Sequence, residues 1–203
     1  MGHDKETREK LIESAKHEFT ENGYNKASLR KICANADVTT GALYFFFKDK
    51  ADLYRAIVGG FADGLFSIIQ QHFDEEKQSL ENESFPDEPD DHSVFAQTII
   101  HYIYQNYDAA MLILKKSQGS EYENILDKIV DMTENAAMET LEMAADKKGG
   151  VKVNKYMVHL VTHIIIDAFV HMVTHEPDEQ KALSGIKKVF KMTMHGWTET
   201  ILE

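Results

Sequence analysis

Residues 28–50 read SLRKICANADVTTGALYFFFKDK, and this stretch decides the fold. Ser28 suits a helix N-cap, its hydroxyl oxygen placed to accept an orphan backbone N–H. Behind it, LRKICANA sets Leu29, Ile32, Cys33 and Ala36 at helical spacing, so one side is apolar. Asp37 breaks that pattern and Val38 returns the chain to the core. Thr39 or Thr40 then caps a second helix, TGALYFFF, too short to stand without the first. Gly41 and Ala42 keep its first turn small enough for close approach to a partner surface. Leu43 and Phe47, four apart, are expected to face inward, with Thr40, Tyr44 and Phe45 outward. Two short helices joined in this way make a helix-turn-helix, whose second helix lies in a DNA major groove.

Working outward, Lys5 to Asn22 reads as a first helix with Leu11, Ile12, Ala15 and Phe19 as its apolar stripe. Asn22-Gly23 supplies its stop, with glycine available for a positive φ. Downstream, Asp49 opens a fourth helix in an Asp-x-x-Asp arrangement close to a capping box. Leu53, Ile57, Phe61, Leu65, Ile68 and Ile69 carry it to about Glu76, roughly 40 Å of helix, enough to leave the head and enter a body. Residues 77–93 hold two of the three prolines and six acids, and read as a solvated loop. Five further helices follow, broken at Gln118-Gly119, at Lys147-Lys148-Gly149-Gly150 and at Glu176-Pro177-Asp178. The expected fold is all-α with about nine helices. A three-helix head occupies residues 1–50 and a larger effector-binding and dimerisation body 51–203, with helix four bridging the two.

The ordered set Thr7-Arg8, Ala15, Phe19, Gly23-Tyr24, Ser28, Ile32, Ala36, Val38 and TGALYFFFKDKADL resembles the TetR family of bacterial transcriptional regulators. The resemblance is dense from about Thr7 to Leu53 and architectural beyond. Family members often carry a polar or basic residue where Thr40 stands, and His or Tyr where Phe45 and Phe46 stand. The resemblance implies a ligand-responsive repressor that binds a palindromic operator as a homodimer. It places Tyr44, Phe46 and Lys50 where family members touch the DNA backbone. It also implies a dimer built from the last two helices, and a small-molecule cavity in the body. The DNA-facing set expected is Ser28, Thr39, Thr40, Gly41, Ala42, Tyr44, Phe45, Phe46, Lys48 and Lys50.

Charge permits this reading. The chain of 203 residues has a net charge of −12, yet residues 1–55 hold 10 Lys/Arg against 9 Asp/Glu while the remaining 148 hold 12 against 25. The acidity belongs to the body, and a near-neutral head can still turn a basic face to phosphates. Hydrophobic content of 43% and charged content of 28% are ordinary for a globular protein. The single cysteine, Cys33, has no partner for an internal disulfide and reads as a small core residue. Met1 to Lys10 is polar, unlike a signal peptide, and the apolar stretches are broken by His and Asp. A cytoplasmic protein with no membrane span is expected.

In the body, Tyr156 to His175 is apolar on most sides, which suits a helix covered by its own chain and by a second subunit. Phe169, Phe190, Met194 and Trp197 are the residues expected at that seam. His159, His163, Asp167, His171 and His175 recur every fourth residue along it. Two readings stay open. In one these are hydrogen-bonded polar groups at a pocket wall or seam; in the other His163, Asp167 and His171 chelate a transition metal. His101, Tyr104, Met111, His163, Asp167 and His171 are the effector-contact candidates. Leu160-Val161-Thr162 stands between His159 and His163, so the pair lacks the glutamate of a hydrolytic H-E-x-x-H helix. No enzymatic activity and no resident cofactor are expected, only an unidentified small-molecule or metal effector.

Overall fold

A computed structural model describes residues 2–82, 91–147 and 152–194. Within them lie nine helices and no strand: α1 (Gly2–Lys26), α2 (Leu29–Asn35), α3 (Thr40–Phe46), α4 (Lys50–Glu81), α5 (Asp91–Gln105), α6 (Tyr107–Lys116), α7 (Ile125–Lys147), α8 (Lys155–His175) and α9 (Glu179–Met194). The all-α expectation holds. Trp197, the break at residues 148–150 and residues 83–90 of the acidic loop lie outside the described residues, as does the side chain of Met194.

By compactness the chain forms two units. One unit is Met1–Gly64 with Asn106–Ile125, and the other is Leu65–Gln105 with Leu126–Glu203. The first unit therefore takes α6 and the turn after it as well as the head, and α4 gives a half to each unit.

In the first unit, α1 packs on α2, α3 and α6. Leu11, Ala15, Phe19, Ile32, Leu43, Leu53 and Val58 form its core, with Cys33 buried among them as a packing residue. Burial raises the Cys33 thiol pKa. Gly23 adopts φ 69 and ends the regular part of α1 there, as its place after Asn22 leads one to expect. Gly119 adopts φ 84 in the turn after α6, where a Cβ would lie 1.9 Å from the Asn25 side chain. Tyr54, which the sequence reading passed over, is 1% exposed and donates its hydroxyl to the Leu112 carbonyl at 3.0 Å.

In the second unit, α9 packs against α5 and α8. Asn154 caps α8 and Asp178 caps α9, each through its side-chain oxygen. Ala96, Ile100, Val158, Val173, Ala182 and Ile186 are buried. The acids of α7 reach out of the helix: Glu134 meets His159 Nδ1 at 2.8 Å, and Glu139 pairs with Lys77.

Candidate nucleic-acid interface

The helix-turn-helix hangs from α1 by two polar ties. Ser14 Oγ donates to the Ile32 carbonyl at 2.8 Å. Glu18, 3% exposed, accepts the Ser28 backbone N–H at 3.1 Å through one oxygen, and its other oxygen lies 3.5 Å from Lys31 Nζ. Ser28 Oγ in turn accepts the Lys31 backbone N–H, so this residue is spent on capping α2. Asp37 takes φ 55 in the turn, a conformation that short acidic side chains tolerate better than most. Thr39 Oγ1 accepts the Ala42 N–H at 3.1 Å and caps α3.

From that cap the periodicity of α3 sorts its side chains. Leu43 and Phe47 are buried, the latter under the Arg8 guanidinium at 5.4 Å. Thr39, Thr40 and Gly41 are exposed and Ala42 is half-buried. Tyr44 is 58% exposed and Phe45 76%. Phe46 is half-buried, its ring edge-on to Phe45 at 4.9 Å and tilted against Phe47 at 6.5 Å.

The two lysines that follow differ. Lys48 is exposed, and its backbone N–H donates to Asp52 at 2.9 Å while the Asp52 N–H donates to Asp49 at 2.8 Å. This reciprocal pair starts α4 much as the Asp-x-x-Asp spacing implies. Lys50 turns back into the protein. Its Nζ donates to the carbonyls of Tyr24 at 2.8 Å, Asn25 at 3.2 Å and Ala27 at 3.5 Å, and lies 4.6 Å from the Tyr24 ring centroid. Burial lowers its pKa. The ammonium therefore satisfies carbonyls left over where α1 ends.

Residues 11–57 match the family model for bacterial regulatory proteins of the tetR family. The head of this chain belongs to the TetR family. Over 54 residues it is 44% identical to the HTH-type transcriptional repressor BepR of Brucella suis, covering 27% of this chain and 26% of that one. Over 52 residues it is 42% identical to the regulator AcrR of Shigella flexneri, covering 26% and 24%. The match thus spans about a quarter of the curated relatives' length. The fold extends further. A putative TetR-family regulator from Syntrophomonas wolfei superposes with a TM-score of 0.62 at 19% identity, over 95% of this chain and 97% of that one. A transcriptional regulator from Aquifex aeolicus gives 0.60 at 19% identity, over 92% and 98%.

Beyond the TetR-family head, the body candidates are divided between the two units. Met111 lies on α6 in the first unit, while the other five effector candidates lie in the second. His101 is exposed and its Nδ1 sits 2.9 Å from Glu179. Asp167 and His171 are exposed too, so they are not polar groups in an apolar interior. Tyr104 and His163 are half-buried, Tyr104 donating its hydroxyl to the Glu176 carbonyl. The histidines of α8 pair with near neighbours: His159 with His163 at 4.6 Å, and His171 stacked on His175 at 4.3 Å.

The metal reading is corrected accordingly: among the described residues no group of three or more His, Cys, Asp or Glu could hold an ion. The fourfold spacing that suggested it runs along the outside of a helix, where ligands do not close around a point. At the expected seam, Phe169 and Phe190 meet edge-on at 5.9 Å, and Phe190 is buried by its own chain. By length and composition α8 could cross a membrane, with mean hydropathy 1.6. It nonetheless carries Asp167 and four histidines and packs on α9 and α5, which suits a protein or water surrounding rather than lipid.

Proposed function

We propose that this chain is a transcriptional repressor that binds a palindromic operator as a homodimer and releases it when a small molecule binds the second unit. The observation that carries the reading is α3: a short capped helix, anchored by Leu43 and Phe47, with Thr39, Thr40, Tyr44 and Phe45 turned to solvent in a TetR-family head. Such a helix fits a major groove, and a two-fold dimer presents two of them to two half-sites. The outer face of α8 supports the dimer, since Tyr156, Leu160 and Ile164 stand exposed along it at a four-residue spacing. Of the effector candidates, Tyr104 and His163 keep the half-buried setting that an orienting polar group needs. A regulator of this kind works in the cytoplasm beside its DNA and requires no catalysis.

Selection of bound duplexes from random or genomic fragments tests the reading. The expected product is a palindromic site bound by two protomers, with affinity falling steeply as salt rises. Recovery of no sequence-specific duplex would overturn it.

A further inference from the structure

Resting on the reading that the head binds duplex DNA, we infer that Phe45 is the main specificity determinant and that it reads thymine through its 5-methyl group. The helix TGALYFF contains no Arg, Lys, Asn, Gln, Asp or Glu. Guanine is read in the major groove by bidentate Arg or Lys, adenine by Asn or Gln, and cytosine by Asp or Glu accepting from its amino group. None of those readers is present on α3. Thr39, Thr40 and Tyr44 offer hydroxyls, which do not discriminate strongly, and the Thr39 oxygen already accepts from Ala42.

What α3 does present is an aromatic ring. Phe45 is the most exposed large apolar side chain of the described residues. It is also oriented, because Phe46 braces it edge-on at 4.9 Å and 85° while Phe46 itself leans on buried Phe47. A ring held out in water gains free energy by reaching an apolar surface. On the major-groove edge of unmodified DNA the one apolar group is the thymine methyl. Ala42, one turn earlier and half-buried, can take a smaller share of the same contact. Exposed Arg30 and Lys48 flank the motif and suit phosphates, which position the protein without reading sequence. The division of labour is then cationic positioning at the edges and apolar readout at the centre.

The test uses the full-length protein and the selected duplex, with each thymine replaced in turn by uracil, which removes only the methyl. Binding of the unaltered protein should weaken about fourfold for each methyl that meets the ring, the worth of one buried carbon. The two symmetric half-sites together should lose about fifteenfold. Phe45→Ala, at a surface position, should fold normally by circular dichroism and bind the thymine and uracil duplexes alike. A specific duplex indifferent to uracil at every position would overturn this inference and leave the repressor reading standing. So would a Phe45→Ala variant as sensitive to uracil as the parent. Loss of self-association in that variant, with DNA affinity unchanged, would reassign the ring to a protein contact. If selection returns no specific duplex, both readings fall together.

Discussion

Leu43 and Phe45 stand two residues apart and end in opposite surroundings, because a step of two along a helix turns a side chain through roughly 200°. That contrast was legible in the sequence, and Tyr54 was not. Nothing in its spacing says that a phenol will be buried; it depends on the Leu112 carbonyl, 58 residues away, and on Phe19, Tyr24 and Tyr122 at ring distances of 4.9, 5.1 and 6.1 Å. Burial raises the pKa of all three tyrosines, far above the ordinary range for Tyr54, with neighbouring acids or phenols adding to it. An acid whose pKa is higher folded than unfolded keeps its protonated form better in the native state. Its stabilisation is complete below the unfolded value near pH 10 and is lost as pH climbs toward the folded one. Stability of the first unit should therefore fall above about pH 10, seen in urea melts as tyrosinate absorbance rises. Tyr54→Phe should cost about 1 kcal/mol at neutral pH by removing a buried hydrogen bond, and should flatten the alkaline decline. An unchanged alkaline slope in that variant would mean that Tyr54 contributes nothing to it.

At the scale of elements, the head follows rules that act over three or four residues, and these were readable. Ser28, Thr39 and Asp49 each cap the helix that their position announces. Boundaries governed by longer-range packing were not. Helix α4 continues to Glu81 because the run DEEKQSLE is made of helix formers and is tied to α7 through Lys77 and Glu139. Helix α7 starts at Ile125, after a set of turns in which Arg55 of α4 holds Glu121 through two hydrogen bonds of 2.8 Å. The lysines at the head of α4 show the same limit: spacing makes Lys48 and Lys50 equivalent phosphate candidates, and only the three carbonyls around Lys50 separate them. Lys48→Ala should leave the melting temperature nearly unchanged and reduce the salt slope of DNA binding by about one. Lys50→Ala should cost about 1–2 kcal/mol, discounted for its partial exposure, because carbonyls at the end of α1 lose a charged donor. Equal melting of the two variants would refute that structural role. A salt slope unmoved by Lys48→Ala would remove Lys48 from the phosphate contacts.

For the whole molecule, the question left by the sequence was which apolar residues of the last helices face a second copy. Periodicity could not answer it, since Tyr156 to His175 is apolar nearly all round. Packing separates the candidates. Phe190 is 8% exposed and meets Phe169 within the chain, whereas Ile164 is 42% exposed on the same face of α8 as Leu160 and Tyr156. Phe190→Asp should therefore unfold the second unit, because a carboxylate among apolar side chains has no partner and costs several kcal/mol. Ile164→Lys should leave each chain folded, since the new ammonium reaches water in the free protomer. In the proposed dimer it is buried twice, once from each copy. Dissociation should strengthen by at least about a hundredfold, the equivalent of one unpaired charge buried per complex. Sedimentation of Ile164→Lys across a concentration series, beside its circular dichroism, reads both effects at once. Monomers with native helicity and weakened binding to a full palindrome are the expected result. A native dimer would show that the exposed face of α8 is not the seam, and an unfolded chain would show that Ile164 belongs to the core of the protomer.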